Sequence, residues 1–221
     1  MNIILSKFCS MNKTSILIGL AAIMMSFAAC SKDLTNGKED NYLVIETARL
    51  NAVNVENARS DIATVKAIIT NMLCLEDESC RIEYEVASSK FKNGGFKLNF
   101  SATVPDKYLE PIFVDKGFTV SDIQAKIGVV GLDAFDSAGN RIGYFSVRSS
   151  DGGWLVDYVY ADRNFTLKGK TEYDLVVDYS FKKGWNIIYY SVEGAHYYTT
   201  QKPLNLDFKC YFPEPRRCGT Q

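Results

Sequence analysis

Arg81-Ile82-Glu83-Tyr84-Glu85-Val86 leads through Asn93-Gly94-Gly95 to Phe96-Lys97-Leu98-Asn99-Phe100. Both flanking runs alternate polar and apolar side chains, so each presents one face to a core and one to water, as a β-strand does. The glycines between them supply the positive φ that a tight turn requires. The same pattern recurs outward along the chain. Ile62 to Thr70 is rich in β-branched residues, which favour strands. Ile127 to Phe135 and Arg141 to Val147 flank Asp136-Ser137-Ala138-Gly139-Asn140, a hairpin signal. Trp154–Tyr160, Tyr173–Phe181, Trp185–Val192 and Leu206–Phe212 continue the series, with Lys182-Lys183-Gly184 as a further turn. Helical signal is scarce. Asp106 to Leu109 suits a single turn after Pro105, and Thr119 to Ala125 is ambiguous because Ser121 is a possible helix cap.

Regularly spaced strands with turn chemistry between them predict an all-β chain, a mostly antiparallel immunoglobulin- or transthyretin-like β-sandwich. No Pro/Gly/Ser linker divides residues 42–212, which predicts one domain. Two small sandwiches meeting near Ser121 are the alternative. Pro213 and Pro215 keep the C-terminal tail, residues 213–221, out of the sheet.

The N-terminal region reads as an export address. From Met11, the expected start, Met-Asn-Lys-Thr-Ser precedes an apolar run from Ile16 to Ala29 and then Cys30. A positive start, an apolar core and small residues before the cut make a signal peptide over residues 1–29. The run is shorter than the roughly 20 residues a transmembrane helix needs. Phe27-Ala28-Ala29-Cys30 resembles the bacterial lipobox, whose cysteine is acylated and becomes the mature N-terminus. That resemblance implies a lipoprotein tethered by Cys30, with the polar residues 31–41 as its leash. Each buried methylene of an acyl chain contributes about 0.8 kcal/mol, so two or more chains anchor stably. Ser31 in place of an aspartate leans toward the outer membrane, with its periplasmic and surface faces both open.

The chain has 25 Lys and Arg against 26 Asp and Glu, and loss of Lys7 and Lys13 with the signal leaves it mildly acidic. With no basic stripe, nucleic-acid binding is not expected. Beyond Cys30, the cysteines in the mature chain are Cys74, Cys80, Cys210 and Cys218. An even number in an exported protein predicts two disulfides. Sequence alone allows three pairings; the local one, Cys74–Cys80 with Cys210–Cys218, is favoured because each pair brackets a short polar or Pro-containing loop. Their spacing lacks the paired Cys-x-x-Cys knuckles of zinc sites.

Asn93 to Phe100, followed by Val104-Pro105-Asp106-Lys107-Tyr108-Leu109, resembles a stretch of Bacteroidetes outer-membrane lipoproteins of unknown function. Lys182-Lys183-Gly184-Trp185-Asn186-Ile187-Ile188-Tyr189-Tyr190 is similar to a later strand of those proteins, and Thr199-Thr200-Gln201-Lys202-Pro203-Leu204 fits the approach to their final strand. The resemblance spans roughly residues 60–212. It implies origin and fold and carries no catalytic residue.

Catalytic constellations are sparse. The chain has 1 histidine, His196, with no nucleophile motif beside it. P-loop, dinucleotide and EF-hand motifs are missing, and Asp133 to Asn140 lacks the alternating ligands of a calcium loop. Glu83 and Glu85 read as a solvated strand face rather than a glycosidase pair. No enzyme, cofactor or metal site is expected. Aromatics are the functional hint, since exposed rings stack on sugar faces. Tyr189-Tyr190 and Tyr197-Tyr198 are adjacent, so one ring of each pair points away from the core. Trp154, Trp185, Tyr190 and Tyr198 are the expected glycan-binding residues, with Trp154 the first choice for exposure. Asp136-Ser137-Ala138 also matches a short O-glycosylation signal at Ser137. The expected function is a non-catalytic binding or accessory lipoprotein, engaging glycan or a protein partner. A structural subunit of a surface or pilus-like assembly is the alternative.

Overall fold

The structure, a computed structural model, describes residues 44–46, 48–70, 82–112, 114, 116–170, 174–192 and 196–212. Its strands are β1 (Val44–Glu46), β2 (Arg49–Ala52), β3 (Thr64–Thr70), β4 (Glu83–Lys90), β5 (Phe96–Asn99), β6 (Glu110–Pro111), β7 (Phe118–Val120) and β8 (Lys126–Phe135). They continue as β9 (Arg141–Ser149), β10 (Trp154–Ala161), β11 (Phe165–Lys170), β12 (Val176–Phe181), β13 (Gly184–Ser191), β14 (Tyr197–Thr199) and β15 (Phe208–Tyr211). The protein is all-β and sandwich-like. A three-stranded sheet, β1-β2-β5, packs against a 12-stranded one ordered β4-β3-β8-β9-β10-β13-β14-β12-β11-β7, with β6 on β8 and β15 on β9. Among the described strands the β12–β14 ladder is parallel and the other ladders are antiparallel.

β10 and β13 are the spine, and both of their faces are covered. Strands buried on two sides read as nearly continuous apolar runs, as Trp154–Ala161 and Trp185–Tyr190 do. Val156, Tyr158 and Tyr160 enter a first core with Leu50, Leu98, Val147 and Trp185. Val159 and Ala161, one residue out of phase, enter a second core with Ile188, Val177, Tyr179 and Phe181. Ile112 and Ala125, on either side of residue 121, both belong to that second core. Burying one Leu or Ile fully contributes about 1.5–3 kcal/mol, so both faces of the spine stabilise the fold.

The turn chemistry holds locally, but it joins different strands than the alternation suggests. Asn93 (φ 51°) and Gly94 (φ 73°) form the two-residue turn, and Lys92 and Gly95 exchange backbone hydrogen bonds at 2.9 and 3.0 Å. Two consecutive positive φ values match the twist of a hairpin. The strands nevertheless part at once: β4 pairs with β3, and β5 pairs with β2 in the other sheet. The segment is a corner between sheets. Asp136 does close a true β8–β9 hairpin. Its carboxylate accepts from the Ala138 and Asn140 amides at 2.9 and 2.8 Å.

The turn at 182–183 also joins strands that do not pair with each other. β14 lies between β13 and β12. Asn186, fully buried, holds the turn: its Nδ2 donates to the Lys182 and Gly184 carbonyls at 2.7 Å each, and its Oδ1 accepts from the Lys182 amide at 2.9 Å. The turn after Pro105 is a 3-10 turn, Asp106–Tyr108. Residues 119–125 are not helical. Thr119 and Val120 belong to β7, and the Ser121 hydroxyl accepts from the Thr166 amide at 2.8 Å, joining two strands instead of capping a helix.

Candidate functional site

The four aromatics expected to bind glycan do not share a face. Trp154 and Trp185 pack on the first core, whereas Tyr190 and Tyr198 pack on the second. Trp185 is 7% exposed; its Nε1 donates to the Ser101 carbonyl at 2.7 Å, and its ring lies against Phe100 and Tyr160. Tyr198 is also 7% exposed and stacks on Tyr190 with ring centroids 5.5 Å apart. Trp154 is half-buried, edge-on to Tyr197. Adjacent strand residues do point to opposite faces, but on β13 and β14 a second layer covers the outward face too.

The site lies where three strands form a pinwheel. β8 pairs with β9 through Leu132–Phe135, β9 pairs with β10 through Val147 and Arg148, and β10 pairs with β8 through Tyr158–Ala161. All three ladders are antiparallel. Three mutually antiparallel strands cannot lie side by side in one flat sheet, since neighbouring directions must alternate. Each strand therefore gives one half to each neighbour, and the sheet opens at the hub. Gly131, Ser146 and Asp157 sit there, each between the two ladders of its strand. β3, β15 and β13 brace the pinwheel from outside.

A cleft of about 460 Å³ occupies the hub, lined by Gly131, Tyr144, Ser146, Arg148, Asp157 and Tyr190 among others. Asp157 is the unusual member. It projects on the second-core side of β10, where its neighbours in phase are Leu155 and Val159. It keeps partial solvent contact through the cleft, while protein atoms crowd it on most sides. This burial raises its carboxyl group to about 7, and a hydrogen bond from the Tyr190 hydroxyl only partly opposes the shift. Burial and the nearby carboxylate in turn hold the Tyr190, Tyr198 and Tyr179 hydroxyls above the usual phenol range. Arg148 donates from Nε to the Ser146 hydroxyl at 3.1 Å, which orients its guanidinium along the cleft wall. At the rim, Tyr144 is 58% exposed. The cleft thus combines a carboxyl group, a guanidinium, hydroxyls and one open aromatic face.

Ser137 lies exposed at the tip of the β8–β9 hairpin, beside a shallower cleft with Lys66 and Phe135. The Phe135 ring is flanked by Lys66 Nζ at 5.2 Å and the Arg141 guanidinium at 5.8 Å from its centroid. Glu83 and Glu85 are exposed and paired with Arg141 and Lys66 at 3.0 and 2.8 Å. His196 is exposed before β14 and lines neither cleft. Among the described residues, no group of three or more His, Cys, Asp or Glu is placed to hold a metal ion. Cys210 is a buried free thiol on β15, not one half of the bridge to Cys218 that the spacing suggested, and burial pushes it up to about 12. Cys30, Cys74, Cys80 and Cys218 lie outside the described residues.

Sequence reasoning missed the hub as a site. Asp157 is the only charged residue in Trp154-Leu155-Val156-Asp157-Tyr158-Val159-Tyr160-Ala161, and a lone acid within an apolar run is a signal that could have found it. Arg148 and Ser146 carried none, because only the pinwheel brings them to Asp157. No protein-family model matches the chain, and neither the curated proteins nor the solved structures contain a significant match.

Proposed function

We propose that the chain is a cell-envelope lipoprotein, anchored through Cys30 at the outer membrane, that acts as a non-catalytic binding or accessory module with glycan among its ligands. The hub cleft is the observation that carries the binding reading: it gathers Asp157, Arg148, Ser146 and the exposed Tyr144 ring in one concave place. Small-molecule sites share this form, a concavity with a few convergent polar groups. The lipobox and the polar leash support the envelope address. Full-length protein extracted in detergent tests both parts. Mass spectrometry finds an acylated peptide beginning at Cys30, and a glycan array finds a retained ligand. An unmodified N-terminus that keeps residues 11–29 overturns the anchor, and an array without any ligand overturns the glycan reading.

A structural subunit of a surface assembly is the second reading, favoured by the eight-residue strand β4 at one end of the large sheet. Glu83, Glu85 and Lys90 along it tell against strand addition, since charged residues are a common guard on exposed edges. Concentration-independent monomeric mass of the extracted protein argues against this second reading.

A further inference from the structure

We infer that the hub cleft takes a single uncharged sugar ring, the terminal residue of a glycan, with Tyr144 stacked on the ring and Asp157 and Arg148 engaging its hydroxyls. The inference rests on the binding role proposed above and specifies its site and ligand class.

The charge pattern carries it. Asp157 and Arg148 line the same cleft, so an acidic ligand meets the carboxyl group and a basic ligand meets the guanidinium. A neutral ligand rich in hydroxyls satisfies both, because a hydroxyl donates to one and accepts from the other. Asp157, held at about 7 by burial, presents both a protonated donor and an ionised acceptor near neutral pH. The Ser146–Arg148 bond and the Tyr190–Asp157 bond hold both groups in place before a ligand arrives, which lowers the ordering cost of binding.

Shape points the same way. At about 460 Å³ the cleft lies toward the small end of ligand sites. Centred where three strands meet, it suits the end of a chain better than its middle. Gly131 adds no side chain to the floor. Tyr144, at the rim, offers the open face that a pyranose ring stacks on, and the buried Trp185 and Tyr198 offer none.

The test is calorimetry on detergent-solubilised full-length protein with the methyl glycosides of glucose, galactose, mannose and N-acetylglucosamine. Glucuronic acid and glucosamine are the charged comparators. At least one neutral glycoside binds in the millimolar range, and both charged sugars bind more weakly. Tyr144→Ala weakens binding about three- to tenfold, and Asp157→Asn combined with Arg148→Met weakens it at least about tenfold. Lys97→Ala, on an exposed position of β5, leaves it unchanged. If the double variant fails to fold, Tyr144→Ala decides, because its ring is exposed. Preference for a charged sugar, no binding by any glycoside, or binding unaffected by Tyr144→Ala overturns the inference. Array binding by the full chain that the cleft variants leave intact sinks this site alone, while an array without ligand sinks the glycan reading as well.

Discussion

The Tyr190 hydroxyl on β13 donates to the Asp157 carboxyl group on β10, two residues along β13 from Ile188, the residue directly opposite Asp157. This bond only partly compensates a carboxyl group placed at the edge of a core. The fold tolerates Asp157 rather than gaining from it.

The consequence is a defined pH dependence. Asp157 titrates near 7 in the folded chain against about 4 when unfolded. Between those values the unfolded chain has released a proton that the folded chain keeps, so this residue's contribution to stability falls as pH rises from about 4 to 7. Asp157→Asn, which can still accept from Tyr190, removes that penalty. Its gain over the wild type grows across the same window and levels off above it, with an upper bound of about 4 kcal/mol. Urea denaturation of both proteins at pH 4.5, 6 and 8 checks it; a gain that does not vary with pH contradicts the assignment.

Trp185 is a structural residue. Trp185→Phe keeps most of the packing and leaves the Ser101 carbonyl without its 2.7 Å donor, at a cost of about 1–2 kcal/mol. Trp185→Ala also empties the space beside Phe100 and Tyr160 and costs about 3–5 kcal/mol. Thermal melts measure both, and glycan binding by the folded Phe variant stays at the wild-type level.

Asn186 holds the 182–184 turn with three buried hydrogen bonds. Asn186→Ala is expected to lose about 2–4 kcal/mol. Asn186→Asp is expected to lose more, because it sets a carboxylate oxygen against the Lys182 and Gly184 carbonyls. Equal stability of the two variants in denaturant titration would speak against this role.

Two neighbouring glycines separate backbone strain from close approach. Gly94 has φ 73° and open space where a methyl group would stand, so Gly94→Ala costs about 1 kcal/mol. At Gly95 a Cβ would stand 2.4 Å from the Ala52 carbonyl oxygen, a backbone atom of β2 that cannot step aside. Gly95→Ala therefore destabilises the corner more than Gly94→Ala does. The reverse order in paired melting curves refutes the packing argument.

Cys210 is expected to resist maleimide in the native protein and to react once the chain is unfolded without reductant, because it is a thiol buried in the first core. Under the same conditions Cys74 and Cys80 stay unlabelled until reductant opens the local bridge that their spacing predicts. Peptide mapping reads both outcomes, and a Cys210 that labels only after reduction shows that it was bridged.

The alternation of polar and apolar residues was enough, by itself, to determine that this chain is built of strands, because a period of two sorts side chains onto two faces wherever the strand lies. Turn chemistry was equally local: Asn93-Gly94 adopts positive φ and Asp136 caps its own turn through bonds that span only a few residues. The shortest strands, such as β1, β6 and β14, escaped, since two or three residues carry too little pattern to separate them from loops. Tertiary structure alone decided which faces meet water. Trp185 and Tyr190 point to opposite sides of β13, as the alternation requires, yet a core waits on each side. It also decided the partners: β4 and β5 share a turn and no ladder, and β8, β9 and β10 close into a pinwheel. A local pattern gives a strand its two faces, but pairing is a choice among distant segments, and the hub that gathers Gly131, Ser146 and Asp157 exists only once three of them have been chosen together.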